Sequence, residues 1–219
     1  MIARASNTLW GMSETPPPTG DAPRGLTPTA RRTRTAIMTA AIELLATRPE
    51  APMTEIAEAA GVSRSTLHRY FADRSALKGA LDELAAAQWQ AAVHDARLDE
   101  GTGLEAFRRL CGEVLGRLDV LAWWMISPDL AEETSGDCDS PDPEDAAISS
   151  ALLRGRADGS IDPAVDPEWL ASFLWAVLYA VRFLPAGGRM SAFEAREQGM
   201  RTLLKAAAAD PGAALLDTL

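Results

Sequence analysis

Residues 54–71, TEIAEAAGVSRSTLHRYF, decide the fold. Ile56, Ala57 and Ala60 form a small apolar face of the kind a short helix presents to a neighbour, and the alanines allow a close crossing. Gly61 follows at the point where a helix ends most readily in the left-handed conformation, which a side chain would resist. Ser63 is of the N-cap class, two residues later, and starts a second helix. Leu67 and Phe71, four apart, share one face of that helix and would hold it against the rest of the module, with Val62 filling the corner. The segment therefore reads as helix, tight turn, helix. The inward set leaves Arg64, Ser65, Thr66, His68 and Arg69 facing outward near the start of the second helix. These residue types read base edges: arginine forks onto guanine O6 and N7, and threonine offers a hydroxyl and a methyl suited to thymine. Without the Gly-Val-Ser turn before it the same set would read equally well as a solvated face; with that turn the reading is DNA.

Working outward, Thr27-Pro28 is a cap residue followed by proline at the first helical position, so a first helix begins there. Ile37, Ala41, Leu44 and Leu45 fall on one face of it, and Pro49 stops it. Residues 1–26 hold three consecutive prolines with few apolar residues and are expected to form a disordered tail. On the other side, Ser75 is the expected cap of a long Ala-rich helix to about Arg97, with Leu77, Leu81, Leu84 and Gln88 tracking one face. Further helical patterns cover about Leu104–Leu118, Val120–Ile126, Glu144–Ala157, Pro167–Leu184 and Ala192–Ala209, and strand patterns are absent. The acidic, Ser/Pro-rich stretch Glu132–Pro143 reads as a loop. The fold class is all-α, divided into a tail (1–26), a three-helix module (27–74) and a helical body (75–219).

Charge follows the same division. The chain of 219 residues has a formal net charge of −10, which looks unsuited to a nucleic-acid partner. Within residues 1–80, however, ten Lys/Arg face seven Asp/Glu, a net of +3, while the remainder carries −13. A basic module can meet phosphate while an acidic body stays off it. The two cysteines, Cys111 and Cys138, have no metal or disulfide spacing and read as reduced thiols of a cytoplasmic protein, with no metal or cofactor expected. Even the greasiest run, Trp169–Leu184, contains Ser172 and Arg182, so neither a membrane span nor secretion is expected. With His68 and His94 the only histidines and no Gly-rich phosphate loop or GxSxG elbow, the chain is not expected to be an enzyme.

The pattern AxxAGVSRSTLHRYFADRSAL (57–77), with the preceding TAAIELL (39–45), resembles the TetR family of bacterial regulators. The resemblance implies a three-helix DNA-binding domain followed by a helical domain that binds a ligand and dimerises. By position it makes Arg64, Ser65 and Thr66 base-contact candidates and His68, Arg69 and Tyr70 base or phosphate contacts, with Arg74 on the DNA backbone. Two departures stand out. Pro52 replaces the Thr or Ser that many members place before the second helix, leaving Thr54 to substitute, and His68 stands where the family favours Tyr. Arg31, Arg32 and Arg34 at the start of the first helix could also reach phosphate or an adjacent minor groove.

The body is expected to make the protein a homodimer, since one reading helix gives too few base contacts for specificity. The helix 167–184 is apolar nearly all round, and the resemblance pairs it and 192–209 with their two-fold mates in a four-helix bundle. Phe107, Trp123, Trp124, Trp175 and Tyr179 are candidates to line a cavity, one better suited to an apolar or aromatic small molecule than to a sugar or nucleotide. The function expected from the whole is ligand-responsive repression at a palindromic site on double-stranded DNA. The alternatives are a constitutive DNA-binding protein without effector and, less favoured for want of catalytic motifs, a helical enzyme.

Overall fold

A computed structural model describes residues 27–126, 142–188 and 190–212. The expected tail 1–26, most of the expected loop 132–143 and Cys138 lie outside the described residues. The described residues form helices and no strand; the sole extended pairing is one antiparallel bridge between Ile161 and Ala208. They divide into two compact units, with the break inside one helix between Leu81 and Asp82.

The first unit contains α1 (Pro28–Thr47), α2 (Met53–Ala59), α3 (Arg64–Tyr70) and the start of α4 (Arg74–Asp95). Thr27 caps α1 by accepting the Ala30 N–H, with Pro28 at the first position. Ile37, Met38, Ala41, Ile42 and Leu45 are buried along α1, whereas Leu44, expected in that stripe, is only half-buried. A turn of 3.6 residues places Met38 and Ile42 nearer the centre of the stripe. The α4 cap is Asp73 rather than the expected Ser75: its carboxylate accepts the Ala76 N–H at 2.8 Å, a charge-assisted bond that a serine inside the first turn cannot match.

The second unit is the rest of α4 with α5 (Gly103–Gly116), α6 (Leu118–Ile126), α7 (Pro143–Ala157), α8 (Pro167–Phe183) and α9 (Ala192–Ala207). α9 packs on α8 and α5, α5 on α7, and α8 also on α6 and α7. One core runs through them, with Trp89, Phe107, Leu110, Leu118, Leu152 and Leu178 among its buried members. Two capping boxes fix helix starts: Thr102 with Glu105 on α5 and Ser191 with Glu194 on α9. In each, the cap residue's backbone N–H and hydroxyl hold the glutamate carboxyl below its ordinary range. Arg109 donates to the carbonyls of Ala96, Arg97 and Glu100, and Arg154 to that of Leu98, so two guanidinium groups secure the α4–α5 corner. Cys111 is buried and free, and burial pushes its thiol well above the usual range. It is inert packing.

The α5–α7 crossing depends on the absence of side chains. A Cβ at Gly103 would stand 2.2 Å from the Gly155 Cα, against backbone that cannot step aside. Gly103→Ala is therefore expected to lower stability by about 1–3 kcal/mol through overpacking. Urea denaturation checks this, and an unchanged midpoint would mean that the two helices can separate without cost.

Candidate nucleic-acid interface

The reading head is set by the turn between α2 and α3. Ala60 remains right-handed, Gly61 swings to φ +64°, and Val62 donates its N–H to the Ala57 carbonyl at 2.9 Å while Gly61 donates to Glu58 at 3.0 Å. These two bonds are a Schellman closure, which satisfies carbonyls the helix end would leave unpaired. Ser63 is then extended, and its hydroxyl accepts the Thr66 N–H at 3.1 Å to start α3. Leu67 and Phe71 are buried as expected, and α2 packs between α1 and α3.

The candidate contact residues occupy unequal positions. Arg64, Ser65, His68 and Arg69 are exposed, and their spacing places them on one contiguous face of α3. Thr66 is half-buried, and its hydroxyl, like that of Ser65, lies within hydrogen-bond distance of Ser63 Oγ, at 2.9 and 3.0 Å. Tyr70 is half-buried with the Arg69 guanidinium over its ring, 5.4 Å from the centroid. The His68 Nδ1 lies 3.1 Å from the Ala72 carbonyl oxygen, in the turn beyond α3. Thr54 is exposed in the first turn of α2, which starts at Met53 with Pro52 as an N-cap that supplies no side-chain bond.

Three arginines have tasks within the head that the sequence pattern does not reveal. Arg74 donates to the carbonyls of Pro49 and Ala51, fastening the start of α4 to the α1–α2 turn. Arg34 lies over the Phe71 ring at 5.5 Å, a cation–π contact that reaches from α1 to the end of α3. Arg48 pairs with Glu55 across the same α1–α2 turn. Arg31 and Arg32 border a shallow groove of about 570 Å³ along α1 with Pro28, Thr35 and Ala36.

In the body, Trp89, Trp175 and Trp124 form a continuous aromatic set, with ring centroids 5.3 Å apart for the first pair and 6.3 Å for the second. Trp89 is buried on the inward face of α4. Trp123 is buried and donates its indole N–H to Asp82 at 2.5 Å, and Phe107 is a buried core residue. Tyr179 is 55% exposed and lies against Phe183, with centroids 4.6 Å apart. A separate open groove of about 650 Å³ lies between the α4–α5 corner and the start of α7. His94, Arg97, Asp99 and Glu144 border it, and it includes none of the five aromatic candidates.

A capped reading helix in a compact three-helix head, carried by an all-helical body, defines a class: helix-turn-helix regulators of transcription. Residues 37–81 match the family model described as bacterial regulatory proteins, tetR family. The transcriptional repressor LfrR of Mycolicibacterium smegmatis is 32% identical over 157 residues, covering 68% of this chain and 77% of that protein. The transcriptional regulator NfxB of Pseudomonas aeruginosa is 29% identical over 148 residues, covering 62% and 75%. The chain belongs to the TetR family and is a DNA-binding transcriptional regulator. The crystal structure of LfrR superposes with a TM-score of 0.61 at 29% identity, covering 82% of this chain and 98% of that one. The structure of LfrR in complex with proflavine gives 0.55 at 30% identity, covering 81% and 97%.

The local chemistry of the turn yields a direct expectation. Ser63→Ala should cost about 1 kcal/mol through the lost cap. Gly61→Ala should cost about 1–2 kcal/mol through left-handed strain, since open space surrounds that position. Chemical denaturation reads both, and stability unchanged by either substitution would contradict the role given to the turn.

Proposed function

We propose that this protein is a one-component repressor that binds a palindromic operator as a homodimer and releases it when an aromatic small molecule occupies the helical body. The observation that carries the reading is the exposed face of Arg64, Ser65, His68 and Arg69 on a helix held rigid by Ser63 and Gly61. Arg64 and Arg69 supply the forked donors that suit guanine, Ser65 and Thr66 supply hydroxyls, and Thr54 and Tyr70 flank them as candidates for the phosphate backbone. Arg74 contributes by holding the α1–α2 turn, and its remaining N–H groups can still face phosphate. The reading is of a binding protein rather than an enzyme, at work in the cytoplasm where chromosomal DNA is accessible.

The dimer reading rests on α8. The helix and the 3-10 turn after it (Leu184–Gly187) are long and apolar enough to cross a membrane by length and composition alone. Yet α8 packs on α6, α7 and α9, and Glu168 and Arg182 interrupt it. The protomer leaves Trp169, Tyr179, Leu184 and the adjoining Phe193 of α9 between 54% and 72% exposed. Such a row of large apolar side chains is costly in water and fits a two-fold mate. Sedimentation at micromolar concentration should show a dimer, and Tyr179→Glu should shift it towards monomer and weaken operator binding. Monomer alone in the unaltered protein would overturn the proposal.

The effector reading rests on the Trp89–Trp175–Trp124 set, whose flat faces suit a planar aromatic ligand. The relative crystallised with proflavine supports that chemical class. The ligand would favour a form whose two reading heads are wrongly spaced for successive major grooves, about 34 Å apart. Proflavine should quench the intrinsic tryptophan fluorescence of this protein and reduce operator affinity, and Trp175→Ala should abolish both responses. Quenching without any change in DNA affinity would favour a constitutive DNA-binding protein instead.

A further inference from the structure

We propose that His68 reads an exocyclic amino group in the major groove, cytosine N4 or adenine N6, as a hydrogen-bond acceptor and thereby sets a base preference at one position of each half-site. The inference rests on the reading of α3 as the DNA-contacting helix and assigns one of its residues a distinct chemical task.

The argument starts from the ring. Nδ1 stands 3.1 Å from the Ala72 carbonyl oxygen. A carbonyl can only accept, so Nδ1 carries the proton and donates it. Neutral imidazole has a single N–H, which leaves the Nε2 lone pair as an acceptor. Nε2 lies across the ring from Nδ1 and so points away from the α3–α4 turn. The bond to Ala72 also restricts the ring before DNA arrives, so less rotamer freedom is lost on contact.

The surroundings give this acceptor its meaning. His68 is exposed, with Arg64 and Ser65 one turn before it and Arg69 beside it, so it sits within the candidate reading face rather than at its rim. Arg64 and Arg69 are donors only and suit the acceptor edge of guanine. Adenine and cytosine offer amino donors in the major groove, whereas guanine O6 and N7 and thymine O4 would set lone pair against lone pair with Nε2. On this face the neutral His68 ring, with Nδ1 engaged by Ala72, offers a lone pair where the arginines offer only donors. Its acceptor complements the arginines rather than duplicating them.

The test is selection of bound sequences from a random DNA pool with the full chain and with His68→Leu and His68→Gln. The unaltered protein should enrich a motif with adenine or cytosine at one position per half-site. His68→Leu should enrich a motif of the same length and spacing in which that position alone loses its preference. Affinity for the original site should then fall roughly 2- to 12-fold, the range of one neutral hydrogen bond. His68→Gln, whose amide both accepts and donates, should narrow the preference to adenine. A motif that neither variant changes, or a loss of affinity equal across all sequences, would overturn the inference and leave His68 as a cap of α3 or a phosphate contact. Failure of the unaltered protein to enrich any motif would instead overturn the DNA reading itself, and this inference with it.

Discussion

The left-handed turn at Gly61 is the constraint on which the reading head depends. At φ +64° it allows Val62 to close onto Ala57 and delivers Ser63, extended, to cap α3 within two residues. A longer connection would let α3 rotate about its own axis, and a rotation of one residue, about 100°, would move Arg64 and His68 off the exposed face and lift Leu67 out of the core. Sequence chemistry, local conformation and the orientation of the contact residues are linked at that one point. The head is small, so arginines do work that a larger core would do. Arg74 ties the α1–α2 turn to α4, and Arg34 lies over Phe71, the last apolar anchor of α3.

The body follows a different logic. Its helices approach closely where glycine removes side chains, at Gly103 against Gly155 and at Gly199 against Val181. Its core is aliphatic with aromatic rings set among the helices, and three tryptophans make a continuous surface. Among the described residues, Trp169 and Tyr179 of α8 are exposed. The aromatic set inside the body and the exposed apolar side chains along α8 are separate features of the same unit.

Much of this was legible in the sequence because the signals are local. Pro28 after Thr27, Gly61 before Ser63, and Pro167 after Asp166 each specify a helix end through the chemistry of one or two residues, and α1, α3 and α8 begin at the expected places. Where two residues compete for one task, the pattern misleads. Asp73 takes the cap that Ser75 was expected to provide, and Met38 and Ile42 take the central stripe of α1 from Leu44. Side chains whose partners lie far along the chain are illegible by nature. Nothing around Arg74 announces the carbonyls of Pro49 and Ala51, and nothing around Trp123 announces Asp82. The same limit applies to the apolar α8. The pattern implies burial on more than one side, yet Trp169 and Tyr179 of α8 are exposed, because periodicity reports how apolar a face is and not what packs against it.

The central claim is that the exposed face of α3 reads DNA in the major groove. Dimethyl sulfate protection probes it most directly, because the reagent methylates guanine N7 in the major groove and adenine N3 in the minor groove. Two guanine N7 protections about one helical turn apart, lost with Arg64→Ala while the fold is retained, are the predicted result. Protection confined to adenine N3, or guanine protection that survives Arg64→Ala and Arg69→Ala alike, would contradict the account.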